Sequence, residues 1–397
     1  MNLTRRPAPR ANRPARVAAE ERLGLPHLAA GVIVLCDRAH PADAMLRKVL
    51  RRELRLGPGA AAALCRLVFG WFRWRGWLEG EPVTPEQVRA ADQLARRFRE
   101  APESFPDEEL LARAVPDWAR AHADWTPGLA RWLQTEPVLW LRARPGTGPA
   151  LAARLGDCTP AGPGPLADAL AYGGGEDLFR RPEFRAGEFE IQDLHSQAVG
   201  WLCAPQPGET WWDACAGEGG KTLHFSDLMQ NRGLIWASDR AAWRLEKLRQ
   251  RARRAGVFNY RTAPWDGSRR LPTRTRFDGV LVDAPCTNLG TWQRNPHARW
   301  TTTPEDVREL AALQLQLLRH AAPAVKPGGR LFYAVCTFTR AETVEVAAAF
   351  GREHPGWEPL PLAHPWDEPA AAPGQLWLRP EARGANGMFV AAWRRVS

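Results

Sequence analysis

Two cysteines in this 397-residue chain stand where a thiol could act as a nucleophile. Cys336 closes the apolar run LFYAV and precedes TFTRAETVE, in which Thr339 and Glu342 have capping-box spacing for a following helix. A sulfur close to a helix N-terminus is stabilised as thiolate over thiol. Cys286 follows a second apolar run, FDGVLVDAP, in company with Asp283 and Pro285. If the two runs are parallel strands of one sheet, both thiols open onto one crevice beyond the carboxyl ends of the strands. Each could instead be a small buried hydrophobe, the commoner fate of a free cysteine, and for Cys65, Cys158 and Cys203 that reading is kept.

The chemistry open to such a group is addition to an electron-poor ring. Carbon 5 of a cytosine cannot attack a methyl donor until a nucleophile adds to carbon 6, and a thiolate can add there and leave again. A carboxyl group on the ring-nitrogen edge, the role assigned to Asp283, would hold the base and take up the charge that builds there.

A methyl donor needs its own site, and the segment Asp213-Ala214-Cys215-Ala216-Gly217-Glu218-Gly219-Gly220-Lys221-Thr222 has the form of a Gly-rich turn at the end of a strand. Missing side chains let a ligand approach its backbone. A phosphate-binding P-loop is excluded, because Cys215 stands where that pattern requires its first Gly. Asp239 ends the next strand-like run and Asp266 the third. One acidic strand end is commonly a cap or turn former. Three in succession, at 213, 239 and 266, suit a nucleoside with a cationic tail, and S-adenosylmethionine has both the ribose and the cation.

The elements that must position these residues form an α/β domain. From about Ile191 the strand-like runs TWWDAC, GLIWASD, NYRTAPW, FDGVLVDAP and GRLFYAVC alternate with helical stretches, as in a mostly parallel, doubly wound sheet. Upstream, AMLRKVLRREL and AAALCRLVFGWFRWRGWL carry apolar residues three and four apart, the pattern of packed helices. Between Pro116 and Gly187 the chain is broken by Pro145-Gly146, Gly162-Pro163-Gly164-Pro165 and Gly173-Gly174-Gly175. The expected division is a basic flexible tail over 1–16, a helical domain over 17–115, a connector lobe over 116–186 and the α/β domain over 187–397. No internal repeat is visible.

Lys and Arg total 54 against 44 Asp and Glu, a net charge of +10, and only four of the cations are Lys. Guanidinium groups grip phosphate bidentately, so this balance fits a nucleic-acid partner, and it fits a GC-rich coding sequence equally well. Arg249, Arg251, Arg253 and Arg254 are candidate phosphate contacts, and Trp292 and Trp300, among nineteen Trp, are candidate platforms for an unpaired base. The seven cysteines make no CxxC pair and no zinc-type spacing, so no metal is expected, and their odd number points to a reducing cytoplasm. The Arg-rich start followed by Leu28 to Cys36 resembles a signal peptide, but the run is short and Asp37-Arg38 stands where a cleavage site should be. Neither a membrane segment nor an obligate oligomer is expected; the protein is read as a monomer.

The segments DACAGEGGKT, DAPCTNLGTWQRNPHARW and VCTFTRAETVE resemble the Sun/RsmB family of RNA cytosine-5 methyltransferases, whose usual forms are DxCAAPGGKT, DxPCSxxGxxxRxPDxxW and a TCS segment. QDLHSQ at Gln192 to Gln197, Arg244 five residues after Asp239, and the closing GANGMFVAAW extend the similarity over the C-terminal half. The resemblance implies a Rossmann-like class I methyltransferase domain. It also implies S-adenosylmethionine held by Cys215, Ala216, Gly217, Glu218, Gly219, Gly220, Lys221, Asp239, Arg244, Asp266 and Asp283. Cys336 is then the attacking thiol and Cys286 assists release of the methylated product, while Lys221, Pro285, Arg294 and Trp300 are expected against the substrate. DNA cytosine methyltransferases use the cysteine at the Cys286 position as nucleophile, so the presence of both favours RNA.

LCRLVFGWFRWRGWL is similar to the NusB-like RNA-binding domain fused to rRNA-modifying members, and PDWARAH with EPVLWLRAR to the connector between that domain and the catalytic one. That favours ribosomal RNA over tRNA. Three residues depart from the family pattern: Glu218 for Pro, His297 for Asp and Thr343 for Asn. A non-catalytic RNA-binding assembly factor on the same fold is the rival reading, and retention of both thiols beside Asp283 counts against it.

Overall fold

The computed structural model describes residues 13–52, 56–80, 82–368 and 371–396. Most of the stretch read as a basic tail, 1–12, lies outside the described residues, and a helix begins at Arg13. The chain divides into two units: Met1–Pro116 with Leu133–Thr135 and Asn295–Thr301, and Asp117–Trp132 with Glu136–Arg294 and Thr302–Ser397.

The first unit is helical, with α1 (Arg13–Val34), α2 (Ala42–Arg52), α3 (Pro58–Trp74), α4 (Pro85–Glu100) and α5 (Asp107–Ala114). Helix α4 starts at a capping box in which the Thr84 hydroxyl accepts from Gln87, with Pro85 at the first turn. The buried end of α3 carries Val68, Trp71, Phe72 and Trp74. The Trp74 ring packs on Trp77, Phe98 and Phe105 with centroids 4.8, 5.6 and 5.2 Å away, so these aromatics build a core. Residues 295–301 belong to this core. Arg299 is wholly buried and donates to the backbone carbonyls of Arg73, Ala114 and Leu133 at 3.3, 3.1 and 3.1 Å, and burial pulls its guanidinium down to about 9. The carbonyls of Arg73 and Ala114 belong to the last turns of α3 and α5, where the helix dipole welcomes a cation.

The second unit opens with short helical segments, Asp117–His122 and the start of Pro127–Gln134, and continues with β1 (Leu139–Ala143), helix α6 (Gly148–Leu155), β2 (Cys158–Pro160), β3 (Ala169–Tyr172) and β4 (Phe189–Ile191). They form an antiparallel sheet in the order β2-β3-β1-β4. The glycines that break the sequence here make its turns: Gly146, Gly162 and Gly164 have φ of 75°, 116° and 113°. Trp140, Leu166 and Ala169 share one core with Leu194, Ala198 and Trp211, so this stretch is continuous in packing with the segment from Leu194 to Trp211.

The large sheet contains β5 (Thr210–Asp213), β6 (Leu234–Asp239), β7 (Tyr260–Pro264), β8 (Phe277–Asp283), β9 (Val325–Val335), β10 (Trp357–Pro359), β11 (Gln375–Leu378) and β12 (Met388–Arg395). Its order is β10-β12-β9-β8-β5-β6-β7, with β11 also on β12. Strands β5 to β9 are parallel to their neighbours and β12 is antiparallel to β9. Helices α7 (Leu194–Cys203), α8 (Gly220–Leu228), α9 (Ala242–Arg254), α10 (Pro304–Ala321) and α11 (Val344–Glu353) complete the unit. The doubly wound expectation holds. From β5 the chain steps outward through β6 and β7, then returns to the other side of β5 for β8 and β9. The reversal between β5 and β8 opens a crevice at their carboxyl ends, the place where such sheets bind ligands. No helix among the described residues is long and apolar enough to cross a membrane.

Candidate active site

At the end of β5 the chain turns through residues 214–219 into α8. Gly217 and Gly219 take φ of 55° and 88°, left-handed values that cost a residue with a side chain about 1–2 kcal/mol. A Cβ on Gly219 would also lie 2.5 Å from the Leu248 side chain. The turn brings the N-terminus of α8, whose first-turn amides have no acceptor within the helix, to the carboxyl end of β5. Asp239, buried at the end of β6, braces it by accepting the Gly217 N–H at 3.0 Å and the Ala241 N–H at 2.8 Å. Arg244 Nη1 lies 3.8 Å from the same carboxylate. Ala216 is buried and Cys215 half-buried, and burial pushes the Cys215 thiol well up, which leaves it inert. Asp213 is buried beneath the turn, accepts the Thr222 hydroxyl at 2.7 Å and is raised to about 7, chiefly by burial. The charge of Glu218 is met by Lys247 Nζ at 2.9 Å, and Arg251 donates to the Glu218 carbonyl at 2.9 Å.

Lys221, in the first turn of α8, links this turn to β8. Its Nζ is 2.6 Å from Asp283 Oδ2 and 3.1 Å from Ser196 Oγ. Burial alone would lower its pKa, but the adjacent Asp283 carboxylate outweighs that and holds the ammonium above the usual lysine range.

Beyond Asp283, the ends of β8 and β9 place the sulfurs of Cys286 and Cys336 at 3.5 Å from each other. Cys336 is half-buried and Cys286 buried. The hydrogen bond with Cys336, and then burial, push the Cys286 thiol well above its ordinary range, which leaves the better exposed Cys336 as the available sulfur. Both thiols approach Asn288 Oδ1, at 3.1 Å from Cys336 and 3.6 Å from Cys286.

One buried carboxylate lies under both thiol loops. Glu342 accepts the Thr287 N–H at 2.8 Å, the Thr287 hydroxyl, the Thr339 hydroxyl at 2.7 Å, the Thr337 hydroxyl at 3.3 Å and Gln314 Nε2 at 3.0 Å. Burial raises its pKa, and these donors oppose the rise. Thr287 follows Cys286 and Thr337 follows Cys336, so a single side chain ties the two loops together. Gln314 Nε2 also donates to the Pro285 carbonyl at 2.9 Å. The arrangement overturns the capping-box expectation. Helix α11 begins only at Val344, and the Glu342 carboxylate is spent on Thr287 and its neighbours instead of on an N-cap amide.

The structure brings Lys221, Asp283, Cys286 and Cys336 together, with Pro285 exposed on the same loop. Arg294 is exposed and lies 3.3 Å from Asp193, whose carboxylate also accepts the Asn386 N–H at 3.0 Å. Asp266 is exposed two residues beyond β7 and accepts the Ser268 N–H at 2.9 Å. Trp300 is not an open platform: in the helical unit its indole N–H donates to the Phe72 carbonyl at 2.6 Å and the Arg75 guanidinium lies over its ring. Trp292 is fully buried between Trp118 and Trp125, so neither of its faces can take a base. His297 packs edge-on against Phe72 at 4.7 Å. Of the basic stretch on α9, Arg251 and Arg254 are held by the buried Glu190 at 2.9 and 2.5 Å. Thr343 bonds the Thr339 carbonyl at 2.6 Å and so stabilises the turn that holds Glu342.

Sequence reasoning missed Asn288, Ser196, Gln314 and the bridging role of Glu342. It also left unexplained the closing GANG. A Cβ on Gly387 would collide with the Phe338 ring, and one on Gly290 with the Gly387 carbonyl, so the two glycines let this strand end press against the thiol loop.

Residues 200–394 match the family model described as 16S rRNA methyltransferase RsmB/F. A probable ribosomal RNA small subunit methyltransferase B from Synechocystis sp. is 34% identical over 308 residues, which are 74% of this chain and 67% of that protein. The crystal structure of PH0851 shares the fold, with a TM-score of 0.76 at 22% identity over 94% of this chain and 98% of its own. NSun6 from Pyrococcus horikoshii, solved with SFG, an analogue of S-adenosylmethionine, matches with a TM-score of 0.51 at 27% identity, over 56% of this chain and 57% of that one. The chain spans about one third to two thirds of the length of the curated relatives it matches. The matched region contains both the Gly-rich turn and the paired thiols, and the chain belongs to the RsmB/Sun family of S-adenosylmethionine-dependent RNA methyltransferases.

Proposed function

We propose that this protein methylates carbon 5 of a cytosine in small-subunit ribosomal RNA, with Cys336 as its covalent nucleophile. The observation that carries the reading is the pair of thiols 3.5 Å apart at the strand ends beside the Lys221–Asp283 ion pair. S-adenosylmethionine would supply the methyl group. The residues present fit it: the turn bares its backbone at Gly217 and Gly219, and the Asp239 carboxylate has further lone pairs for ribose hydroxyls beyond the two amides it accepts. Arg244, Asp266 and the 215–221 turn belong to the same site in this reading.

The chain's own groups then divide the work. Cys336 adds its sulfur to ring carbon 6. Asp283, oriented by Lys221, holds the ring-nitrogen edge, and the Lys221 ammonium offsets the charge that builds there. Cys286, beside the nucleophile, assists its departure. Pro285 and Arg294 lie against the RNA, and the helical unit acts as a NusB-like RNA-binding domain. A monomer in the cytoplasm is the corresponding state, and the seven free cysteines support a reducing compartment.

The test is incubation of the purified chain with labelled methyl donor and small-subunit rRNA, then nucleoside analysis. The parent forms 5-methylcytosine, Cys336→Ala loses on the order of 10⁴-fold or more, and Cys286→Ala accumulates a denaturant-resistant protein–RNA adduct. Undiminished activity in Cys336→Ala would end this mechanism. Methylation of tRNA alone would move the substrate, and RNA binding without transfer would leave the assembly-factor reading.

A further inference from the structure

Asn288 stands at φ 60° and ψ 28°, a left-handed conformation that Asn adopts more readily than most residues. The turn folds its side chain back on its own loop, where Nδ2 donates to the Cys286 carbonyl at 2.8 Å. A carbonyl oxygen only accepts, so this bond sets which end of the amide is which and leaves Oδ1 facing the sulfurs. Oδ1 is 3.1 Å from Cys336 Sγ and 3.6 Å from Cys286 Sγ. An amide oxygen can accept an S–H and has nothing to offer a thiolate, so it favours the protonated form of the sulfur it touches. The shorter contact is to the sulfur that faces the crevice.

We propose that Asn288 is a positioning residue that holds the Cys336 thiol proton and so restrains the nucleophile until a ring displaces the contact. The inference rests on the methyltransferase reading and adds to it a control on when the thiol becomes reactive. The sulfur is met by Cys286 from the loop after β8 and by the charge of Lys221 from α8, which is itself paired with Asp283 of β8, while Tyr333 of β9 and the buried Glu342 bear on Cys286. Among these groups the Lys221 ammonium and the S–H of Cys286 favour a thiolate, and Asn288 opposes it through a direct contact.

The side chain is exposed, so its replacement leaves the core intact. Asn288→Gly keeps the left-handed turn and removes the acceptor; Asn288→Asp keeps the shape and adds a negative charge. The measurement is the rate of iodoacetamide labelling of Cys336 in the full chain against pH, read by peptide mass spectrometry. Losing the acceptor removes stabilisation of S–H, so the Gly variant labels about fivefold faster on the acid side and its profile moves to lower pH. A carboxylate disfavours thiolate, so the Asp variant labels more slowly and its profile moves to higher pH. The pH profiles of methyl transfer shift in the same opposite senses. A merely structural role would move both variants in one direction or change rates without moving the pH profile, and either result overturns the proposal. The labelling arm needs no RNA, so a chain that labels as described but transfers no methyl group would sink the function alone.

Discussion

At the end of the crevice where we place the methyl donor the shape is made by backbone, with left-handed glycines at 217 and 219, the start of α8 and one bracing carboxylate. At the thiol end it is made by side chains that converge from β8, α10 and the residues after β9 on the single carboxylate of Glu342. The first construction is indifferent to side chains that point away, and Glu218 illustrates it: a charge new to the turn is absorbed by Lys247 at the surface. The second has no such slack, because each donor around Glu342 is buried and an unmade hydrogen bond there costs about 1–3 kcal/mol. Substitution should therefore reveal a tolerant end and a brittle one.

The sharpest break would come from Glu342→Gln, which keeps the shape but turns an amide donor toward groups that already donate. Turnover is expected to fall by about 100-fold while affinity for S-adenosylmethionine stays within about threefold, read by steady-state kinetics and calorimetry. Turnover near that of the parent would remove the contrast between the two ends. Gly219→Ala tests the donor end through backbone: left-handed strain and the contact with Leu248 should weaken donor binding by about tenfold, with turnover at saturation little changed. An unaltered dissociation constant would show that the turn bends more freely than its geometry implies. The smallest effect belongs to Lys247→Ala. It strips the partner from Glu218 in a pair that is 48% and 41% exposed, so donor affinity should change by less than about threefold and respond mainly at low salt. A large loss would make Glu218 an active element of the site.

How far these two ends could be read beforehand depends on the range of their contacts. The donor turn is local: Asp213 to Thr222 is one stretch, and its glycines and exclusion as a P-loop need no partner from elsewhere. The alternation that yields β5 to β9 is equally local, and Asp283, Cys286 and Cys336 fall into place at strand ends once the sheet is granted. The brace on the thiols is not local. Thr287 and Glu342 are 55 residues apart, so Thr339 and Glu342 read as a helix cap when only near neighbours are considered. Asn288 carried no signal in sequence because its contact with Cys336 depends on a left-handed turn and a chain separation of 48. Trp292 and Trp300 look like stacking surfaces until their neighbours Trp118, Trp125 and Phe72 arrive from distant segments. The antiparallel sheet β1 to β4 was hidden because its strands are three to five residues long and separated by proline and glycine.

The buried guanidinium of Arg299 has a consequence for how such a protein can be taken apart. Its two terminal nitrogens are held by peptide oxygens at 73, 114 and 133 instead of by an acid, so these partners are positions in the chain and no substitution of a neighbouring side chain can replace them. Lysine also has three donors but carries them on one atom, without the planar fork that here spreads the bonds over Nη1 and Nη2. Removing the amino-terminal helices would take away the oxygens at 73 and 114 and leave this guanidinium only the one at 133 among the three it now holds.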